Sequence, residues 1–353
     1  MKIRFNAENA TAVLMFAFLA CIPLVASAYK VVNVANFLVM VFLSLSLALI
    51  WGKTGIFSFG QTIFFGVGGY TYAILFLNVN ELSLTLPAML AGVAIGGLVA
   101  WILGYLMFYG GINDVFVGLI TLCVTLVLET FMAQTAGAEW KIGSVPLGGY
   151  NGINGIPTLH LGFGDNLVAF TGKSFYYLVF VLLFVTYLLL RYLVASKWGY
   201  ALLAVRENRD RSQMFGYNVP KIQTMVFTLS GMIASLGGIL YAAWGNYVTP
   251  STMGLAAATL PVVLVAAGGR KSLTADMLFT LLYSWFSQYL SSSGSQYALV
   301  ILGVCLLLVV RFMPQGVVVA LFEGIDRLLE RKSKRAGEPI ELVKEGLHGK
   351  STV

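Results

Sequence analysis

Long apolar segments recur along almost the whole chain and constrain its fold more than any other feature. They lie at about 11–26, 31–51, 55–77, 86–108, 114–133, 175–194, 222–244, 254–268, 274–290 and 297–313. A transmembrane helix needs about 20 mainly apolar residues. Of the 353 residues, 58% are hydrophobic and only 10% are charged. The sequence therefore predicts an all-α integral membrane protein with about ten transmembrane helices.

The basic residues divide between the two sides that ten spans predict. With the N-terminus inside, only Lys30, Lys141 and Lys173 of the 22 lysines and arginines fall in outer segments. Cytoplasmic loops carry the excess of lysine and arginine, so both termini are predicted to be cytoplasmic. The net charge of +7 has the same explanation and does not indicate nucleic-acid binding. We predict a transmembrane domain over 1–317, and an amphipathic cytoplasmic helix with a disordered tail over 318–353.

The first apolar run has two interpretations. Lys2 and Arg4 precede it, and it ends in Ala26-Ser27-Ala28, which is the pattern of a cleavable signal peptide. A retained first span is favoured because further spans follow at once. The positive-inside pattern does not separate the two, since removal of 1–28 leaves the later orientations unchanged.

The segment 51–77 is not an ordinary span. Six glycines interrupt it, and Ser58, Gln61 and Thr62 are polar. Broken backbone at membrane depth is tolerated only against protein or a water-filled cavity, and interrupted helices mark the binding sites of many transporters. We therefore predict a broken or re-entrant helix here. The alternative is that the glycines only allow close helix packing.

Residues 197–221 form the most charged stretch between two spans. Five charged side chains lie within 206–211, in a chain that has few. The apolar Ala201, Leu202 and Val205 predict a short amphipathic helix over 201–208, with Gly199 before it and Gly216 after it. This stretch is either a solvated loop that sets topology or a helix that docks on a soluble partner.

Residues 134–174 form the longest outer loop. Its centre is rich in glycine, proline and asparagine, which is turn chemistry. It is either a linker or a surface that receives an external partner.

The chain resembles the permeases of branched-chain amino acid, urea and amide importers, which are ATP-binding-cassette (ABC) systems. The matching residues are Gly199-Tyr200-Ala201, Ala204 to Asn208, Gly216-Tyr217-Asn218 and Lys221 in the charged stretch, and Gly55, Ser58 to Gln61, Phe64 to Gly66 and Gly69-Tyr70 in the broken span. The resemblance covers nearly all of 40–315. It implies a multi-pass subunit of the bacterial inner membrane that moves a small solute.

The resemblance also implies partners and site residues. The partners are a second permease subunit in a heterodimer, two ATP-binding subunits, a periplasmic solute-binding protein and membrane lipid. No cofactor is expected on this chain, because ATP and magnesium belong to the ATP-binding subunits. The implied sites are coupling to the ATPase at Tyr200, Ala204, Arg206, Glu207, Asn208 and Gly216, the translocation path at Ser58, Gln61, Thr62, Phe65 and Tyr70, and binding-protein docking at Tyr150, Asn151 and Asn154.

The motifs and residue clusters that the sequence lacks argue against some of the other functional classes. Lys344 stands where the first glycine of a Walker A motif ending in Gly349-Lys350-Ser351 must be, so ATP binding through a P-loop is not expected. A membrane enzyme needs a base, nucleophile or metal site, and His160 and His348 lack suitable partners in the sequence. An ion-coupled carrier that works alone stays open as the alternative, because sodium coupling needs no buried acid.

The expected solute is small and neutral or zwitterionic, because the predicted path carries hydroxyls, an amide and aromatic rings but no charge. A branched-chain amino acid, urea or a short amide fits that description. Arg270 after Gly268-Gly269 resembles the urea-type members slightly more than the branched-chain type.

Overall fold

The computed structural model of this chain describes residues 7–79, 81–162, 167–292, 303–304, 311, 316–322 and 324. Its α-helices are α1 (Ala7–Val25), α2 (Ala28–Thr54), α3 (Gln61–Val79), α4 (Thr85–Tyr109), α5 (Asp114–Gln134), α6 (Lys173–Ala195), α7 (Lys197–Glu207), α8 (Arg209–Met214), α9 (Val219–Gly245), α10 (Leu255–Gly268) and α11 (Leu273–Ser292). Short 3-10 helices lie at Leu82–Leu84, Gly149–Asn151 and Pro250–Met253.

Seven helices of the described chain, α1 to α6 and α9, are long and apolar enough to cross a membrane. The all-α membrane architecture is therefore confirmed. The span predicted at 55–77 begins as a helix only at Gln61, because 55–60 is non-helical. The segment predicted at 254–268 is the short helix α10 of 14 residues, which contains Pro261. The predictions for 297–313 and for the helix and tail over 318–353 lie largely outside the described residues.

Helix α2 is the centre of the described structure. Every residue from Val41 to Ile50 is buried. Helices α9, α6, α11 and α10 pack around it. A helix that is apolar on all sides belongs inside a bundle, and α2 fits this rule because its apolar residues show no helical periodicity that would leave a polar face.

Helices α3, α4 and α9 meet through small residues. The Ser235 hydroxyl of α9 donates to the Gly92 carbonyl of α4 at 2.9 Å. A side chain on Gly96 would overlap the Ser235 side chain, and one on Gly238 would overlap the Phe65 carbonyl. Small residues let backbones approach closely, which is how helices associate in lipid. Of the glycines in 51–77, Gly68 belongs to this contact, because a side chain there would overlap Ser235.

The helix bundle has two distinct ends, here called the basic end and the loop end. At the basic end lie the end of α2, the start of α9 and the helices α7 and α8. At the loop end, the strand β3 (Ile153–Asn154) pairs antiparallel with β6 (Tyr247–Val248), directly after α9. The other strands form two more antiparallel pairs: β1 (Lys141–Ile142) with β2 (Val145–Pro146), and β4 (His160–Leu161) with β5 (Val168–Ala169).

We predict that Gly238→Leu destabilises the protein, because the new side chain meets backbone that no rotamer change can move away. Overpacking of a core typically costs about 1–3 kcal/mol. We expect a lower melting temperature in detergent and a smaller monodisperse fraction. The matched control is Ala94→Leu on an exposed position of α4. Equal melting temperatures for the two variants would contradict the close α3–α9 contact.

Candidate functional site

The break between α2 and α3 is buried and hydrogen-bonded. Helix α2 ends at Thr54 and is capped by Gly55, which has φ 77° and donates its N–H to the Trp51 carbonyl at 3.2 Å. The Ser58 hydroxyl accepts from the Gly60 N–H at 3.0 Å. The Phe59 N–H donates to the Thr121 hydroxyl of α5 at 3.1 Å. These bonds satisfy backbone and side-chain groups that the break leaves without helical partners.

Gln61, the first residue of α3, lies between three helices. Its side-chain oxygen accepts from Ser46 of α2 at 3.1 Å and from Ser230 of α9 at 3.0 Å. Both hydroxyls also reach a backbone carbonyl, that of Leu43 for the first and of Ser46 for the second. The Gln61 amide nitrogen is buried and has no partner among the described residues. Gln61 thus links α3 to α2 and α9 through buried hydrogen bonds.

The other predicted path residues lie farther along α3. The Thr62 and Tyr70 hydroxyls are buried without a hydrogen-bond partner among the described residues. Phe65 is 3% exposed and lines a cavity of about 350 Å³ between α2, α3, α9 and α10. Ser58 and Gln61 do not line this cavity. Among these five residues, Phe65 alone borders the cavity, and the path assignment stays a prediction.

The predicted cytoplasmic helix exists as α7, with the expected buried face. Ala201, Leu202 and Val205 are all buried, and Tyr200 is 70% exposed. The expectation that Gly199 precedes the helix is wrong, because α7 begins at Lys197. A side chain on Gly199 would overlap the Val194 carbonyl of α6. The glycine is needed for the sharp connection between α6 and α7, which sequence alone does not reveal.

Arg206 points toward the body of the protein. Its guanidinium donates to the Gly52 carbonyl of α2 at 2.7 Å, and its side chain lies beside Gly55. It thus contacts the end of α2 directly before the break. Ala204 is half-buried, and Glu207 and Asn208 are exposed. An exposed face of α7 is left for a partner.

Asn208 divides the charged stretch into two helices rather than one. Its side-chain oxygen caps α8 by accepting from the Arg211 N–H at 2.9 Å, a standard N-cap contact. Arg209 forms an ion pair with Asp114, the first residue of α5. Gly216 follows α8 with φ 84°. It therefore lies after the second helix, whereas α7 already ends at Glu207.

The end of α8 leaves large apolar side chains uncovered. Met214 is 86% exposed and Phe215 is 82% exposed. Such side chains on a charged turn between two spans are typical of a surface that contacts another protein.

The predicted binding-protein residues lie on the surface at the loop end. Tyr150 is 80% exposed, and Asn151 and Asn154 are exposed as well. Asn154 belongs to β3, whose pairing with β6 fixes the loop to the end of α9. All three side chains are therefore accessible in the described chain.

One buried acid lies near the start of α11. Asp276 is the fourth residue of this helix, and its side chain is fully buried. It accepts from the Ser44 hydroxyl at 2.5 Å, and Thr280 donates to Ser44 at 3.0 Å. The second carboxyl oxygen has no partner among the described residues. The sequence analysis did not predict this cluster. The signal that could have indicated it was the presence of Ser44 and Thr280 within apolar spans. No group of three His, Cys, Asp or Glu side chains in the described chain could hold a metal ion.

The sequence matches known membrane transport proteins over most of its length. It is 25% identical over 295 residues to the high-affinity branched-chain amino acid transport system permease protein LivM of Escherichia coli K12, covering 79% of this chain and 67% of that protein. It is 23% identical over 322 residues to the "Probable branched-chain amino acid transport permease protein LivM" of Methanocaldococcus jannaschii, covering 78% and 89%. No solved structure matches the chain.

The family match covers the helices that carry the candidate sites. It extends over residues 31–310 and thus includes nearly all of α2 and the whole of α3 to α11. The broken segment, α7, α8 and the loop end all lie inside it. The chain belongs to the branched-chain amino acid transport system permease component family.

Proposed function

We propose that this chain is the membrane-spanning permease subunit of an ABC importer that carries branched-chain amino acids across the bacterial inner membrane. The observation that carries the proposal is the family match over 31–310. The partners are a second permease, two ATP-binding subunits and a solute-binding protein. ATP hydrolysis then occurs on the partners, since this chain has no P-loop sequence.

The proposed ATPase contact is the exposed surface of α7 and α8. Tyr200, Met214 and Phe215 offer apolar area there, which suits a protein interface. Arg206 and Arg209 face the other way and connect these helices to α2 and α5. A movement of α7 and α8 would thus reach the break at 55–60 directly. Here Arg206 acts by positioning α2 rather than by touching the ATPase.

Branched-chain amino acids are favoured over urea. The relatives described above are branched-chain amino acid permeases by name. The features that resemble urea-type members, such as Arg270, are confined to a few positions. Arg270 lies over the Trp51 ring at 5.8 Å, a cation–π contact that explains this arginine without reference to the solute.

Reconstitution tests the proposal. We expect ATP-dependent leucine uptake into proteoliposomes that contain this chain, its second permease and the ATPases, with the binding protein on the outer side. Omission of the ATP-binding subunits should abolish uptake. Uptake by this chain alone, driven by a sodium or proton gradient, would favour the ion-coupled carrier instead.

Arg206→Met is predicted to uncouple transport. The change removes the hydrogen bond to Gly52 while the aliphatic stem is largely kept, so α7 still packs through its buried face. We expect less leucine carried per ATP hydrolysed, with ATPase activity retained. Lys197→Met is the matched control, because it removes an exposed positive charge from the same helix. A wild-type ratio of transport to hydrolysis in Arg206→Met would contradict the link from α7 to α2.

Gln61→Met separates a path role from a packing role. Both serines that face Gln61 keep a backbone acceptor, so we expect the free energy of unfolding to fall by about 1 kcal/mol or less. If Gln61 belongs to the solute path, uptake falls severalfold at nearly unchanged melting temperature. Gln134→Met, at an exposed position, is the control. Unchanged uptake would remove Gln61 from the path.

A further inference from the structure

The cavity beside Phe65 is a partly open cleft near the loop end, lined mainly by half-buried residues. Met40 of α2 lines it. This residue is fourteen positions before the end of α2 at Thr54, which is roughly 20 Å from the basic end at 1.5 Å per residue. The 3-10 helix Pro250–Met253 and β6 border the cavity toward the loop end. The cavity is thus placed where a solute arriving from the loop end would first reach the interior.

The walls of the cavity divide into two kinds. The apolar wall consists of Met40, Leu43, Phe65, Ala257 and Leu260. The remaining lining residues carry hydroxyl groups: Tyr241, Tyr247, Thr249, Ser251 and Thr252. Tyr241 lies beside Phe65, with ring centroids 5.6 Å apart. No Asp, Glu, Lys, Arg or His is among these described lining residues. One apolar wall with a few polar groups is the usual composition of a small-molecule site.

The hydroxyl groups pair with one another in the structure. The Tyr241 and Tyr247 hydroxyl oxygens are 3.2 Å apart, and those of Thr249 and Ser251 are 2.8 Å apart. A hydroxyl both donates and accepts. These groups can therefore exchange their mutual bonds for bonds to a carboxylate and an ammonium of one solute. A solute with net charge would lie here without a counter-charge, which is unfavourable at low dielectric.

The size of the cavity selects among neutral solutes. At about 350 Å³ it is at the lower limit of typical ligand sites, which begin near 300 Å³. Urea would leave most of the apolar wall uncovered. A branched aliphatic side chain would cover Leu43, Leu260 and Phe65, and the unbranched Met40 side chain adapts its shape to the contact.

We propose that this cavity is a solute site of the permease itself, which binds a zwitterion with a branched aliphatic side chain. The side chain lies against Met40, Leu43 and Leu260, and the polar end faces the hydroxyls of Tyr241, Tyr247 and Ser251. This inference rests on the proposed function. It adds that the permease contributes to selectivity, in addition to the solute-binding protein.

Ala257→Leu tests the site in the reconstituted importer with all its subunits. The larger side chain enters the cavity and takes the space of the solute's branch. We expect leucine uptake to fall at least about tenfold, because even one misplaced methylene costs about that much and Leu adds three carbons. Alanine uptake should change much less. Ala256→Leu is the matched control, since this neighbour is exposed and does not line the cavity. An equal loss in both variants, or unchanged selectivity in Ala257→Leu, would overturn the proposal.

A labelling experiment supplies a second readout that needs no transport. Ser251→Cys, at an exposed position on the cavity wall, is placed in a background in which Cys21, Cys123 and Cys305 are replaced by alanine. We expect leucine to slow its reaction with a membrane-impermeant thiol reagent severalfold, and urea to have no effect. Equal reaction rates with and without leucine would overturn the site.

Failure of the site and failure of the proposed function are distinguishable. If the wild-type importer carries no branched-chain amino acid, the proposed function is wrong. If it carries leucine while Ala257→Leu behaves like Ala256→Leu and leucine does not slow the labelling of Ser251→Cys, only the cavity assignment is wrong.

Discussion

The close backbone contact of α3 and α4 with α9 is the constraint on which the rest of the described structure depends. Lipid is as apolar as leucine, so the hydrophobic effect does not draw helices together within a membrane. Van der Waals contact must do so, and it weakens steeply when backbones separate. Ser235, Gly96 and Gly238 permit that contact. Helix α9 of this group packs against α2, and α3 holds Phe65 against the cavity.

Polar side chains then fix the rotation of α2 about its own axis relative to the neighbouring helices. Ser44 and Ser46 are two residues apart, which is roughly 200° around a helix. Ser46 therefore faces Gln61 of α3, and Ser44 faces Asp276 of α11. Both clusters are buried, where a hydrogen bond has high value because an unpaired polar group is costly. Together they specify the rotation of a helix whose apolar faces are interchangeable.

The basic end shows how a peripheral pair of helices is attached to this core. Arg206 contacts α2 and Arg209 contacts α5. When the side-chain amide of Gln223 in α9 is oriented with its oxygen toward Arg209, this oxygen accepts from Arg209 Nη2 at 2.7 Å. Three spans are thus linked to α7 and α8 by charge-assisted bonds, which are stronger than neutral ones. The cavity lies toward the opposite end of the same spans, so both candidate sites share α2 and α9 as walls.

The sequence by itself determined the membrane class, most span positions, an interruption within 51–77 and an amphipathic helix in the charged stretch. Each of these follows from local composition: apolar length, glycine clusters and the spacing of Ala201, Leu202 and Val205. Tertiary structure alone decided the inward turn of Arg206, the burial of Asp276 and the joining of Met40, Tyr247 and Leu260 around one cavity. Such contacts join residues that are far apart in the chain, and in an apolar helix no periodic polar face indicates which side meets which neighbour. Only the packed backbones define those distances.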